Sequence, residues 1–217
     1  MKTLFYLSIV GLFFMSCTKE RLEANGNRTT EVRVPREFRK VLSSGANNIH
    51  ITYGQEYQVE LRGSSNLLPH FKTEVFNGTL KLGYERVNVQ NDDVEVYVTM
   101  PFMEGATLSG SGKVNISGDF DYQSIFDVRI SGSGDVVVED EFVAREVNVT
   151  VSGSGDADLR KVHSTSADVK ISGSGSVRVD PADRLKVKIS GSGNVYYYGN
   201  PEIDSSISGS GEVVKGN

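Results

Sequence analysis

Cysteine chemistry is confined to one position. Cys17 is the only cysteine in 217 residues, so no internal disulfide and no thiolate-cluster metal site can form. Upstream of it stand Lys2, an apolar run from Leu4 to Met15, and Ser16. A basic start, an apolar stretch of about 7–15 residues and a small residue at the cut make a secretory signal. The run is too short for a membrane-spanning helix, which needs roughly 20 apolar residues. The word Phe14-Met15-Ser16-Cys17 resembles the lipobox of bacterial lipoproteins, with Phe14 in the place usually held by Leu. On that reading Cys17 is the lipidation site and carries acyl chains such as palmitate. Each buried CH₂ contributes about 0.8 kcal/mol, so several chains hold a protein stably on a membrane. Residues 1–16 are then a lipoprotein signal peptide, 17–30 a polar tether, and 31–217 the folded domain.

Other chemistries are less well supported. Tyr196 and Tyr198 alternate to one face of a strand, with Tyr197 turned inward, and Lys170 and Lys188 are expected nearby. Two aromatics on one face suit stacking on a sugar or a partner protein. Asp135 and Asp156 recur at one position of a repeat, as calcium ligands do. The same position elsewhere holds Lys113, Ser176 and Asn194, so the plainer reading is exposed turn carboxylates and no metal. His50, His70 and His163 lack metal-ligand spacing. The Ser-Gly pairs form no Gly-x-Ser-x-Gly elbow, and no Lys and helix follow them as a phosphate loop requires. No cofactor is expected. A net charge of −5 argues against a nucleic-acid partner.

What positions these residues is a repeat. Ser-Gly-Ser-Gly begins at Ser109, Ser131, Ser152, Ser172, Ser190 and Ser208, at spacings of 22, 21, 20, 18 and 18 residues. Ser44-Gly45-Ala46-Asn47 reads as a degenerate earlier copy. Two residues after each motif stand Val114, Val136, Ala157, Val177, Val195 and Val213. One residue before stand Leu108, Ile130, Val151, Ile171, Ile189 and Ile207. Apolar residues alternate with polar ones on both flanks, so each repeat is a strand, a tight bend and a second strand. Such units bury their apolar faces only by stacking. The expected fold is all-β: a right-handed parallel β-helix of 18–22-residue coils. Its structural corners are Gly110 and Gly112, Gly132 and Gly134, Gly153 and Gly155, Gly173 and Gly175, Gly191 and Gly193, and Gly209 and Gly211. Glycine reaches positive φ at little cost, and the corner hydroxyls are expected to form ladders along the stack. Glu104 and Lys215 stand at otherwise apolar positions and read as polar caps of the first and last coils.

From Glu31 to Glu104 the chain is less regular but strand-rich. Ile49-His50-Ile51-Thr52, Gln58-Val59-Glu60-Leu61 and Val94-Glu95-Val96-Tyr97-Val98 alternate, and Asn77-Gly78 marks a turn. No three-turn helix is predicted; Ser65 to Thr73 has room for one short turn.

Ile49-His50-Ile51, Asn66-Leu67-Leu68 followed by Gly78-Thr79-Leu80, Met100-Pro101, the serial Ser-Gly-Ser-Gly coils and Val195-Tyr196-Tyr197-Tyr198-Gly199-Asn200-Pro201 carry a resemblance. From about Phe38 to Val214 the chain resembles the putative auto-transporter adhesin, head GIN domain family, common in Bacteroidetes lipoproteins. The resemblance implies a β-helix-like fold, a cell-envelope location and no catalytic residues to carry over. The expected function is that of a non-catalytic surface lipoprotein at the bacterial outer membrane. It would act as an adhesin or interaction module for a glycan or a surface protein, with self-association through terminal coils as a further option. The competing reading is a carbohydrate-active β-helix. Against an enzyme stands the near-constant coil length, which leaves no long loops from Ser109 onward to build a deep cleft.

Overall fold

The computed structural model describes residues 20–217, which are almost wholly β-strand. The first part holds β1 (Glu20–Glu23), β2 (Arg28–Arg33), β3 (Lys40–Gly45), β4 (Asn48–Tyr53), β5 (Gln58–Ser64), β6 (Phe71–Phe76), β7 (Thr79–Tyr84), β8 (Val87–Gln90) and β9 (Glu95–Met100). The regular part holds β10 (Gly105–Gly110), β11 (Lys113–Ser117), β12 (Gln123–Gly132), β13 (Asp135–Val138), β14 (Phe142–Gly153), β15 (Ala157–Gly173), β16 (Ser176–Gly191), β17 (Asn194–Tyr197), β18 (Glu202–Gly209) and β19 (Val213–Lys215). The single helical element among the described residues is a 3-10 turn at Leu68–His70, inside the segment given room for one.

The repeats stack in register as parallel coils. Gly110 aligns with Gly132, Gly132 with Gly153, Gly153 with Gly173, Gly173 with Gly191, and Gly191 with Gly209. The degenerate copy belongs to the same column, since Ser44 aligns with Ser109 and Gly45 with Gly110. Val and Ile columns from both flanks, such as Val128-Val149-Val169-Val187 and Val114-Val136-Ala157-Val177, are buried in one continuous core. Each such side chain contributes about 1.5–3 kcal/mol when fully buried. Between the flanks Phe120, Phe126 and Phe142 fill the interior, with rings edge-to-face.

The corner is held by backbone. In each repeat the N–H groups of the second Ser and second Gly both donate to the carbonyl of the first Gly one coil earlier; Ser154 and Gly155 reach Gly132 at 2.9 and 3.2 Å. The corner serines point to solvent. Among the described residues their hydroxyls make no hydrogen bond with the chain, so the expected hydroxyl ladder is absent. The reason is economy of partners: at each bend two backbone N–H groups already share one glycine carbonyl, so no hydroxyl is needed there and the serines face solvent. The two glycines are needed for different reasons. Gly153 has φ +126°, and a Cβ there would overlap the Gly132 carbonyl. Gly155 has no positive φ, yet a Cβ would overlap the Gly134 carbonyl and crowd Ile130.

Two expectations about the ends are corrected. Glu104 does not cap the stack. The pair β3/β4 lies beneath β10/β11, and β7 and β9 lie beneath β3 and β4. Antiparallel strands close this end: β5 pairs with β9 and β2, and β6 pairs with β7 through a turn with Asn77 at φ +47° and Gly78 at +70°. That turn geometry suits a tight hairpin. Nor is the segment up to Thr30 a tether throughout. Glu20–Glu23 pair with β8, and Arg28–Thr30 belong to β2. Its polar composition hid the strands because β2 is an edge strand with outward-facing side chains. Arg33 ties this strand down, donating to the carbonyls of Phe71 and Leu68 at 2.6 and 2.7 Å.

Substituting Gly153→Val is expected to lower stability by more than about 2 kcal/mol, because it combines a strained φ with a clash between coils. The neighbouring Ser154→Ala is expected to stay within about 0.5 kcal/mol. Paired thermal melts check both.

Candidate contact surface

Parallel register brings outward residues into columns. Three residues after each corner motif the column runs His50, Asn115, Val137, Asp158, Arg178, Tyr196 and Val214, with Tyr97 aligned beneath His50. Arg178 therefore sits one coil below Tyr196, its guanidinium 5.2 Å from the ring centroid. The next outward column brings Arg160 towards Tyr198, at 5.9 Å. Such arginine–aromatic contacts are worth about 0.5–1 kcal/mol at exposed sites. All three tyrosines are half-buried; Tyr197 packs against the core, and the Gly216 backbone leans on the Tyr198 ring. Lys170 and Lys188, expected near the tyrosines, lie instead in the outward column of the strands that precede the corner, together with Arg129 and Thr150. The cations beside the tyrosines are Arg160 and Arg178.

Asp158 completes the patch. Its carboxylate accepts from Arg160 Nε and Nη2 at 2.9 and 2.7 Å, a forked pair. Burial pushes the Asp158 carboxyl upward, but the hydrogen bonds and charge of Arg160 outweigh it and hold it below its ordinary value. Next to this pair is a shallow groove of about 390 Å³ lined by Val137, Glu139, Glu141, Asp158, Arg160 and Lys161. Lys161 Nζ donates to Glu141 at 2.8 Å, and that hydrogen bond lowers the Glu141 pKa. His163 Nδ1 and Asp180 lie 2.7 Å apart at the rim.

A second aromatic–cation cluster, not read from the sequence, occupies the same sheet face nearer the β2 end. The Tyr97 ring stacks on His50 at 4.8 Å and carries the Arg62 guanidinium at 4.2 Å. Alternation alone placed His50 outward; the pairing of β4 with β9, which needs the fold, puts Tyr97 beside it.

The aspartates considered for calcium have another occupation. Asp135 accepts from the Asp156 N–H at 3.2 Å, and Asp156 from the Ser176 N–H at 2.7 Å. Asn194 does the same for the Glu212 N–H at 3.0 Å. This column links one coil to the next, and Asn serves as well as Asp because only an acceptor oxygen is needed. Among the described residues no group of three or more His, Cys, Asp or Glu is arranged to hold a metal. Cys17 lies outside the described residues.

The family model described as putative auto-transporter adhesin, head GIN domain, matches residues 37–147 and 126–201. Several solved structures share the fold. A putative adhesin from Bacteroides fragilis superposes with TM-score 0.70 at 19% identity, over 89% of this chain and 99% of that one. A putative adhesin from Parabacteroides distasonis gives 0.60 at 18%, over 90% and 100%. A protein from the same organism described as a putative lipid binding protein gives 0.59 at 21%, over 91% and 100%. No curated protein matches the chain.

A pH test follows from the Asp158–Arg160 pair. Because its folded pKa is lowered, the stability it contributes is present above the unfolded value of about 4 and is lost as pH falls through the folded value. Asp158→Asn is expected to cost about 0.2–1 kcal/mol at neutral pH and nothing at pH values below the folded pKa. Denaturation midpoints measured at both ends of that range check the sign.

Proposed function

As the chain belongs to the putative auto-transporter adhesin, head GIN domain family, we propose that it is an exported lipoprotein acting as a non-catalytic adhesin-type module. Cys17 carries the acyl chains that hold it at the bacterial outer membrane or cell surface. The stacked coils display a contact surface for a glycan or a surface protein. The observation that carries this reading is the patch at Tyr196 and Tyr198, where aromatic rings, the arginines beneath them and Asp158 stand on an outward sheet face. Planar rings offer apolar area for stacking, and forked guanidinium and carboxylate groups offer paired hydrogen bonds to hydroxyls. The groove beside them is shallow and open, which suits an extended or broad partner better than an enclosed small molecule.

Two measurements test the proposal. On a glycan array and in binding to whole cells, Tyr196→Ala with Tyr198→Ala is expected to lose signal by at least about tenfold while the melting temperature holds. Binding that survives the double substitution removes the patch from the account. Labelled palmitate supplied to a bacterial host is expected to enter the wild-type chain and not Cys17→Ser; label in neither chain removes the anchor.

A further inference from the structure

Among the described residues the stack is closed at one end, whereas no strand lies on its last coil at the other. Strands β2, β5 and β6 cover the first end in antiparallel pairings. At the other end, among the described residues, β18 pairs only with β16, and β19 only with β17. Every residue of β18 is exposed, including Ile203 at 38% and Ile207 at 42%. One coil back their column neighbours Leu185 and Ile189 are buried. The Gly209 carbonyl stands where each earlier corner glycine accepts two N–H groups, and no further coil among the described residues donates to it. An open strand edge beside exposed core-column isoleucines is a template for pairing, and a repeat stack needs a covered end.

We infer that a second copy of the chain covers this end, with β18 pairing antiparallel to its own copy about a two-fold axis through Ser205. The register carries the inference. In an antiparallel pair, opposite residues share a face. With Ser205 opposite itself, Ile203 meets Ile207 of the second copy and Ile207 meets its Ile203, so the two cores join. On the outer face Asp204 meets Ser206 and Glu202 meets Ser208, so no carboxylate faces another. Neighbouring registers lose this match. Centring the axis on Asp204 sets two carboxylates opposite each other, and centring it on Ser206 sets Ile207 against Ser205. The edge is thus complementary to itself in one register, as an isologous two-fold contact requires. The axis crosses the stack, so the two β2 ends point in opposite directions. Resting on the proposal that Cys17 anchors the chain, the contact joins molecules held on facing surfaces: a homophilic adhesive contact.

The test uses the full chain carrying Cys17→Ser, so that no native thiol or lipid intervenes. Sedimentation equilibrium is expected to show a dimer that dissociates on dilution, as a small interface implies. Ile203→Glu with Ile207→Glu is expected to weaken it at least about tenfold with an unchanged circular dichroism spectrum. Under mild oxidation Ser205→Cys is expected to cross-link into dimers, because it faces itself across the axis. Ile203→Cys is expected not to, since it lies opposite position 207. A monomer at every concentration, a dimer that survives the glutamates, or equal cross-linking at both positions overturns the inference. Tyr196→Ala with Tyr198→Ala is expected to leave the dimer intact, so loss of glycan binding and loss of pairing report on separate surfaces.

Discussion

One backbone contact governs this fold: two N–H groups of each corner donate to a single glycine carbonyl of the coil below. The coils stand about 4.8 Å apart, the ordinary spacing of paired strands. At that spacing no Cβ fits between one corner and the next. The first glycine is further required by its positive φ, the second by proximity alone. Because the donors and acceptor belong to the backbone, the contact is the same in every coil and fixes register without help from side chains. A slip of one residue would turn every Val and Ile column to solvent. The repeated tetrapeptide and the dry core are therefore two results of one constraint.

Register fixed at the corner propagates outward as well as inward. Residues at a given offset from the motif must share a column, so the sequence of each coil writes one row of the surface. The column immediately after the corner has become structural, with Asp135, Asp156 and Asn194 each accepting from the next coil. The column two residues further on is free of that duty and gathers Asp158, Arg178 and Tyr196. The difference is geometric. A short acceptor next to the bend reaches a backbone N–H of the next coil, whereas a side chain farther along the strand meets other side chains: Arg178 meets its column neighbour Tyr196, and Asp158 meets Arg160 two residues along its own strand.

The repeat made much of this legible. Identical words at a near-constant period, flanked by period-two alternation, specify stacked parallel strands, the buried columns and the outward direction of Tyr196. What stayed hidden depends on contacts between distant segments. Alternation gives Tyr97 and His50 a side of their strands but not the pairing of β4 with β9 that stacks them. The same gap misplaced Lys170 and Lys188: they face outward as expected, but on the flank before the corner, away from the tyrosines. Arg28–Thr30, the first half of β2, were read as tether because an edge strand with exposed side chains has no apolar rhythm to show. The first coils also depart from sequence order. The chain leaves β4, builds β5 to β9 beneath it, and only then adds β10 above β3. No local signal encodes that return.

Coil length then limits the kinds of site this molecule can build. From Ser109 onward successive motifs are 18–22 residues apart, and nearly all of those residues are spent on strands and corners. Enclosed pockets are made by loops that rise from a scaffold, and here no loop is long enough to rise. What these coils offer instead are the columns themselves, on faces whose groups are spaced by the coil rise and held by paired backbone. Rigid groups lose little entropy on binding, so even modest contacts become useful when several act together. Flat periodic faces are what such a scaffold presents, and a flat face complements an extended or repetitive partner better than a compact one.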